Sequence, residues 1–309
     1  MIASLFNVLL ALVLAPFLLS VINRTKAYYS GRRGPVLLQP YYDLWKLLHK
    51  GAVYSRTTSW IFQAGPMIGL AAVITALLLV PMGSSPAPLN FPGDIILFAY
   101  LLGLMRFCTV VSALDTGSSF EGMGASREVL FSALAEPALI LGLAAVARET
   151  GTLTLSRMHM AITPELWGEA GLVLASVTAA LIIVFLTENS RIPVDDPNTH
   201  LELTMVHEVM VLDHGGVDFA FIQYGAALKM WVLGSLIVAL VLPAQDFGSS
   251  IINGIGNLLI DLTGMLILAI AVGVIESSMA RLRLIRVPQL LVGAGALSVL
   301  SLILGKLGG

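Results

Sequence analysis

Eight stretches of the chain are predominantly apolar over about 17–25 residues, the length that an α-helix needs to cross a lipid bilayer. They are Ile2–Ile22, Ile61–Pro81, Asp94–Leu114, Val129–Ala147, Leu172–Thr187, Phe219–Leu242, Asn257–Glu276 and Pro288–Leu304. No segment between them has the character of a soluble domain. The sequence therefore predicts an all-α, polytopic membrane protein, in which residues 1–309 form one transmembrane domain of about eight helices.

Composition agrees with lipid as the solvent and excludes several functions. The chain is 57% hydrophobic and 12% charged, against roughly 25% charged residues in soluble domains. A net charge of −2 argues against nucleic-acid binding, which needs many cations to neutralise phosphates. With one cysteine, Cys108, and no metal-ligand spacing among five histidines, we expect neither a metal site nor a redox centre in this chain.

The distribution of basic residues predicts the orientation. Twelve Lys and Arg residues lie in loops that follow the odd-numbered spans, and three lie in the opposite loops. Because basic loops stay in the cytoplasm, an even number of spans places both termini outside. The first apolar stretch is long enough to span, and no small-residue cleavage site follows it. We therefore expect a retained helix in a bacterial or archaeal cell (inner) membrane.

The first cytoplasmic loop contains a second kind of helix. In VLLQPYYDLWKLLHK, the residues Leu37, Tyr41, Leu44, Trp45 and Leu48 share one helical face, and Asp43, Lys46 and Lys50 lie on the other. Such amphipathic helices lie in the membrane interface, and Pro40 suits a first turn. Packing on a partner protein is an equally compatible interpretation.

Two segments rich in glycine or proline are predicted to be loops. Residues 82–93 (MGSSPAPLNFPG) carry three prolines and no periodic pattern, which predicts a simple connector. Residues 117–126 (GSSFEGMGAS) lack the strand and helix that flank phosphate-binding loops. We expect a tight loop there.

Several charged residues lie inside predicted spans, where each charge costs roughly 2.5–3.5 kcal/mol. Counting about 1.5 Å per residue puts Arg106 and Glu136 about 10–12 Å below the cytoplasmic face and Lys229 roughly 15 Å deep. We expect Arg106 to pair with Glu136. Such pairs can simply hold helices together, but buried carboxylates with a lysine are also what a proton relay needs. The cytoplasmic span ends add Glu188 and Glu276.

The cytoplasmic loop after the fifth span combines acidic and apolar residues. Its acids, set against Arg191 alone, are Glu188, Asp195, Asp196, Glu202, Glu208 and Asp213. Interleaved leucines, methionines and valines predict that this segment folds inward and brings carboxylates into a cavity. The spacing of His207, Glu208 and His214 does not fit the HExxH interval of zinc sites.

Several motifs together resemble known proteins. GRRGPVLLQPYYDLWKLL (31–48) and ENSRIPVDDP (188–197) resemble subunit 1 of respiratory complex I. LDTGSSFEGMGASRE (114–128), AEP (135–137), Leu228-Lys229 and ESSMARLRL (276–284) are more similar to the membrane subunit of group 4 nickel–iron hydrogenases, such as formate hydrogenlyase subunit 4. The similarity extends from about Arg24 to Leu284 and includes the same eight spans.

The resemblance implies a subunit that joins a cytoplasmic arm, with hydrogenase-like large and small subunits, to antiporter-like membrane subunits. Nickel–iron and iron–sulfur centres would belong to those partners. It implies docking roles for Arg32, Arg33, Asp43, Arg191 and Asp195. It also implies an ion path, and together with the charges above the candidates are Arg106, Asp115, Glu136, Glu188, Glu202, Glu208, Lys229 and Glu276.

Departures from the complex I pattern argue against quinone binding. This chain has Ser132 and Gln223 where the complex I relatives have glutamate, and His200 replaces an acid of the hydrogenase-type signature. A quinone-site subunit of complex I is still one alternative, and a free-standing secondary transporter is another. Transporters of that kind usually show an inverted repeat, and we find none in this sequence.

Overall fold

The computed structural model describes residues 2–195, 205–245 and 250–307. Within these ranges the chain forms α1 (Ile2–Tyr29), α2 (Gln39–Leu48), α3 (Trp60–Leu77), α4 (Asp94–Asp115), α5 (Ser119–Thr150), α6 (Leu155–Ala161), α7 (Pro164–Glu188), α8 (His207–Met210), α9 (Gly216–Val241), α10 (Ser250–Ser278) and α11 (Val287–Leu307). All except α2, α6 and α8 are long and apolar enough to cross a membrane. The prediction of eight spans is confirmed.

The spans pack as a bundle around α9, the most buried of them. Helix α9 contacts α1, α3, α7 and α10, while α5 packs on α7 and α11. Helices α2 and α8 lie at one end of the bundle, which we call the α2 end. The short helix α6 lies at the other, the α6 end.

Helices α5, α7 and α10 begin ten, eight and seven residues earlier than the sequence predicted. Helix α5 starts at Ser119, ten residues before Val129, so the prediction of a tight loop at 117–126 is wrong from Ser119 onward. Gly124 explains the misleading composition: a Cβ there would lie 2.3 Å from Val209 Cγ1, so the glycine permits close packing on α8. Helix α7 starts at Pro164 because the Thr163 side chain accepts a hydrogen bond from Leu166 N and proline suits the first helical turn.

Helix α2 confirms the predicted amphipathic helix, with Pro40 in its first turn. It rests on α1 and α9, and the Tyr41 hydroxyl donates a hydrogen bond to the Val13 carbonyl. Trp45 and Leu48 are exposed, so the apolar face is only partly covered within the chain.

The segment 82–93 is more than a connector. Gly83 N donates to Asp261 Oδ2 of α10 at 2.6 Å, and Asn7 Nδ2 of α1 donates to Met82 O at 2.9 Å. His159 Nε2 of α6 lies 2.9 Å from Gly83 O. Buried polar side chains therefore fix this loop across the α6 end of the bundle.

Candidate functional site

Arg106 is the centre of a group of buried charges. Its guanidinium on α4 forms ion pairs with Glu136 of α5 and with Glu188 at the end of α7, and its Nε lies 3.6 Å from Glu128 Oε1. The predicted contact between Arg106 and Glu136 is confirmed. Arg106 itself is buried, so three helices meet through one side chain.

Lys229 extends this group to α9. Its Nζ lies 3.9 Å from Glu188 Oε2, which places Glu188 between the two cations. We call Arg106, Glu128, Glu136, Glu188 and Lys229 the central charge cluster. Two bases face three carboxylates there, so full ionisation would leave one negative charge in an apolar medium.

Glu128 was missed by the sequence analysis. It falls one residue before Val129, the predicted start of the fourth span, whereas α5 begins nine residues before Glu128. If the predicted span had begun before residue 128, Glu128 would have been counted as an acid within a span.

A second ion-pair group lies beside the first. Glu276 of α10 is buried, and its Oε2 is 2.8 Å from Lys26 Nζ of α1 while its Oε1 is 3.4 Å from Arg191 NH1. The guanidinium of Arg191 also approaches Met230 Sδ on α9. These contacts connect α1, α9 and α10 through the segment that follows α7.

Asp195 anchors the same segment. It accepts hydrogen bonds from Val206 N and His207 N at 3.1 and 3.3 Å and pairs with Arg281 at 2.9 Å. The predicted inward fold is confirmed for the described parts of the loop, whereas Asp196, His200 and Glu202 lie outside the described residues.

The proposed docking residues separate into two groups. Arg32, Arg33 and Asp43 are exposed at the α2 end. Arg191 and Asp195 are buried in the ion pairs described above, so in this conformation they support the loop from inside and present no surface to a partner.

Besides Glu276, two of the predicted path residues lie outside the central charge cluster. Asp115 accepts hydrogen bonds from Ser59 N and Ser59 Oγ at 2.6 and 2.8 Å, which joins the end of α4 to the start of α3. Glu208 lines the cavity described next.

A cavity of about 310 Å³ opens between α1, α2 and α9. Asp43 and Gln223 lie on its wall, and Asn189, Arg191 and His207 are shared with a narrower cavity of about 40 Å³. The narrower cavity reaches Glu188 and Lys229. Since both spaces are lined by several polar groups, they can hold water. The linings of the two cavities together extend from Asp43 at the α2 end to Glu188 and Lys229 of the central charge cluster.

A further group of buried polar side chains lies beside α8. Glu121 of α5 is buried and accepts a hydrogen bond from Asp213 N at 3.2 Å, and Asp218 of α9 is also buried. His214 stacks on Phe62 with ring centroids 3.9 Å apart. The sequence analysis did not select Glu121, because its segment was interpreted as a loop.

Both histidines of this region are held neutral. Burial lowers the pKa of His214 to about 4. Burial, and after it the charge of Lys229, lowers the pKa of His207 to about 4. No group of three or more potential metal ligands occurs in the described part of the chain.

Residues 2–305 match the NADH dehydrogenase family. The chain belongs to this family. It is 29% identical to formate hydrogenlyase subunit 4 of Escherichia coli (strain K12) over 287 residues, which cover 93% of this chain and 92% of the relative. It is also 29% identical to hydrogenase-4 component C of the same organism, over 90% of this chain and 87% of that one. The resemblance drawn from the motifs is confirmed.

The fold is shared with a solved structure. A chain of the membrane-bound sulfane sulfur reductase, an archaeal respiratory membrane complex, superimposes with a TM-score of 0.83. The alignment covers 98% of both chains at 21% sequence identity. This chain and that one therefore share the same fold over nearly their whole lengths.

We predict that His214 makes stability depend on pH. The unfolded chain binds a proton at His214 near pH 6.5, whereas the folded chain does so only near pH 4. Stability therefore falls as the pH decreases from 7 toward 4, by at most about 1.4 kcal/mol per pH unit for one proton.

Apparent melting temperatures of the purified complex at pH 7, 6 and 5 measure this effect. His214→Gln should make the decline shallower, while His49→Gln, at an exposed histidine of the α2 end, should leave it unchanged. An identical decline in His214→Gln would contradict the assignment.

Proposed function

We propose that this chain is the non-catalytic membrane subunit of an energy-converting complex of the group 4 hydrogenase type. It links a soluble redox arm to ion-translocating membrane subunits and contains the beginning of a proton path, with sodium as the other candidate ion. The main support for this proposal is the central charge cluster. It lies within the bundle, and Glu188 and Lys229 line the narrower cavity, which adjoins the larger one at the α2 end. The hydrogenase-type relatives support the kind of complex.

The order of groups suggests the direction of proton movement inside the chain. Water in the cavity would deliver a proton to Glu188, which contacts both Lys229 and Arg106. Arg106 contacts Glu136 in turn. Arginine keeps its charge in proteins, so it would hold the carboxylates in position while the proton moves between them. Glu208, which lines the cavity, and Glu276, which pairs with Arg191 on its wall, are further candidates.

Redox chemistry is assigned to partner subunits. This chain has a single cysteine, whereas iron–sulfur clusters are normally held by four ligands. Nickel–iron and iron–sulfur centres are therefore proposed in the soluble large and small subunits. Docking would use the exposed side chains at the α2 end, including Arg32, Arg33 and Asp43, together with the uncovered Trp45.

One observation favours a second candidate, the quinone-site subunit of complex I. The 310 Å³ cavity has both apolar and polar walls, as small-molecule sites usually do. That candidate predicts quinone in the purified complex and inhibition by quinone-site ligands. Co-purification with hydrogenase-like subunits and no effect of such ligands would favour the first proposal.

We also propose that the α2 end faces the cytoplasm and that both termini lie outside, because the basic residues are concentrated at that end. Alkaline phosphatase fused after the last span should be active, and a fluorescent protein fused there should not fluoresce. The opposite pattern would show an inverted topology.

We predict that Glu136→Gln leaves the complex assembled and leaves dye reduction by the soluble arm within about twofold of wild type, but abolishes ion pumping. Glutamine keeps a side chain that can hydrogen-bond but cannot exchange a proton. Pumping is measured in inverted membrane vesicles with a pH-sensitive dye. Glu169→Gln, an exposed acid near the α6 end, is the matched control and should pump normally. Persistent pumping in Glu136→Gln would assign Glu136 a structural role.

A further inference from the structure

Glu136 differs from the rest of the central charge cluster in its exposure. Its side chain is 46% exposed, whereas those of Arg106, Glu128, Glu188 and Lys229 are between 5% and 12% exposed. It lies 17 residues after the start of α5 and 14 before its end, roughly 26 and 21 Å along the axis. The carboxylate therefore reaches the outer surface of the bundle within the span, well away from both ends of α5.

Two polar groups are left unsatisfied at this surface. Glu136 Oε1 accepts from Arg106, while Oε2 has no partner among the described residues. Pro137, the next residue, has no N–H, so the Ala133 carbonyl one turn earlier lacks its helical hydrogen bond. Ala133 is exposed on the same helix. Lipid chains can satisfy neither group, because the hydrocarbon core offers no hydrogen-bond donors.

The surface around Glu136 is shaped for close approach of a helix. Gly103 of α4 faces it, since a Cβ on Gly103 would lie 3.5 Å from Glu136 Oε1. Ala133 on α5 is a second small residue at this surface. On α4, the exposed side chains of Tyr100 and Phe107 flank Gly103. Small residues let membrane helices pack closely, and polar side chains then bond across the contact. We call Tyr100, Gly103, Phe107, Ala133 and Glu136 the α4–α5 groove.

We propose that a transmembrane helix of another membrane subunit covers the α4–α5 groove and donates a hydrogen bond to Glu136 Oε2. The donor would be a hydroxyl, amide, protonated carboxyl or basic side chain at the level of Glu136. This inference deepens the proposed function, because it places the exit of the ion path from this chain at the same contact. The partner helix needs a hydrogen-bond donor because a purely apolar helix would leave Glu136 Oε2 unpaired.

Photo-crosslinking in the intact complex in native membranes tests the contact. Benzoylphenylalanine is introduced in separate variants at Tyr100 and at Phe107, two exposed aromatic positions that leave room for the added benzoyl group. The matched control is Phe6 on α1, which is also exposed and lies outside the groove. Adducts are identified by mass spectrometry down to the crosslinked peptide.

The expected result is that both groove positions attach to one transmembrane segment of one other membrane subunit, at a yield at least fivefold above any adduct of that segment with the Phe6 variant. That segment should carry a hydrogen-bonding side chain within one helical turn of the attachment site. Adducts with lipid alone, with a second copy of this chain or with an entirely apolar segment would overturn the proposal.

The outcome is separable from that of the proposed function. If the groove crosslinks as expected while Glu136→Gln still pumps, the interface is correct and the ion path is wrong. If the groove attaches only lipid while Glu136→Gln loses pumping, the ion path stands and the proposed interface is wrong.

Discussion

The ion pairs of Arg106 determine how α4, α5 and α7 can be arranged. A guanidinium in the middle of a bundle is expensive to bury, and it is tolerated only with carboxylates in contact. Glu136 and Glu188 supply those carboxylates from two other helices. A shift of any one helix would leave a charge unpaired in a medium that cannot solvate it. The interaction therefore constrains packing, although its net contribution to stability over an apolar core is small.

The same ion pairs underlie the proposed role of the central charge cluster in proton transfer. In the proposed ion path, one of the three carboxylates that share these two cations would take up the proton. The inward-folded loop, fixed by Asp195 and by the pair of Arg191 with Glu276, keeps a polar cavity open beside Glu188. The cavity and the proposed proton site thus depend on one set of buried contacts. In the proposed assembly, a helix of another subunit would cover the exposed side of Glu136.

Much of the fold and part of the site could be predicted from sequence. The spans follow from the length of apolar segments, and the contact of Arg106 with Glu136 follows from their similar depth on consecutive antiparallel helices. Glu128 and Glu121 were not found, because glycines in GSSFEGMG indicate a loop when the partner helix is unknown. Gly124 instead serves the contact with Val209. The bridging position of Glu188 and the pairing of Lys26 with Glu276 could not be predicted, since they depend on packing between helices distant in sequence.

A double-mutant cycle on Arg106 and Glu188 tests the role of these ion pairs most directly. The measured quantity is the apparent stability of the purified complex carrying Arg106→Leu, Glu188→Leu or both. Each single change should destabilise by about 3–5 kcal/mol, because it leaves a buried charge without its partner. The double change should be clearly less harmful than the sum of the two. Additive losses, or an Arg106→Leu complex as stable as the wild type, would contradict the account.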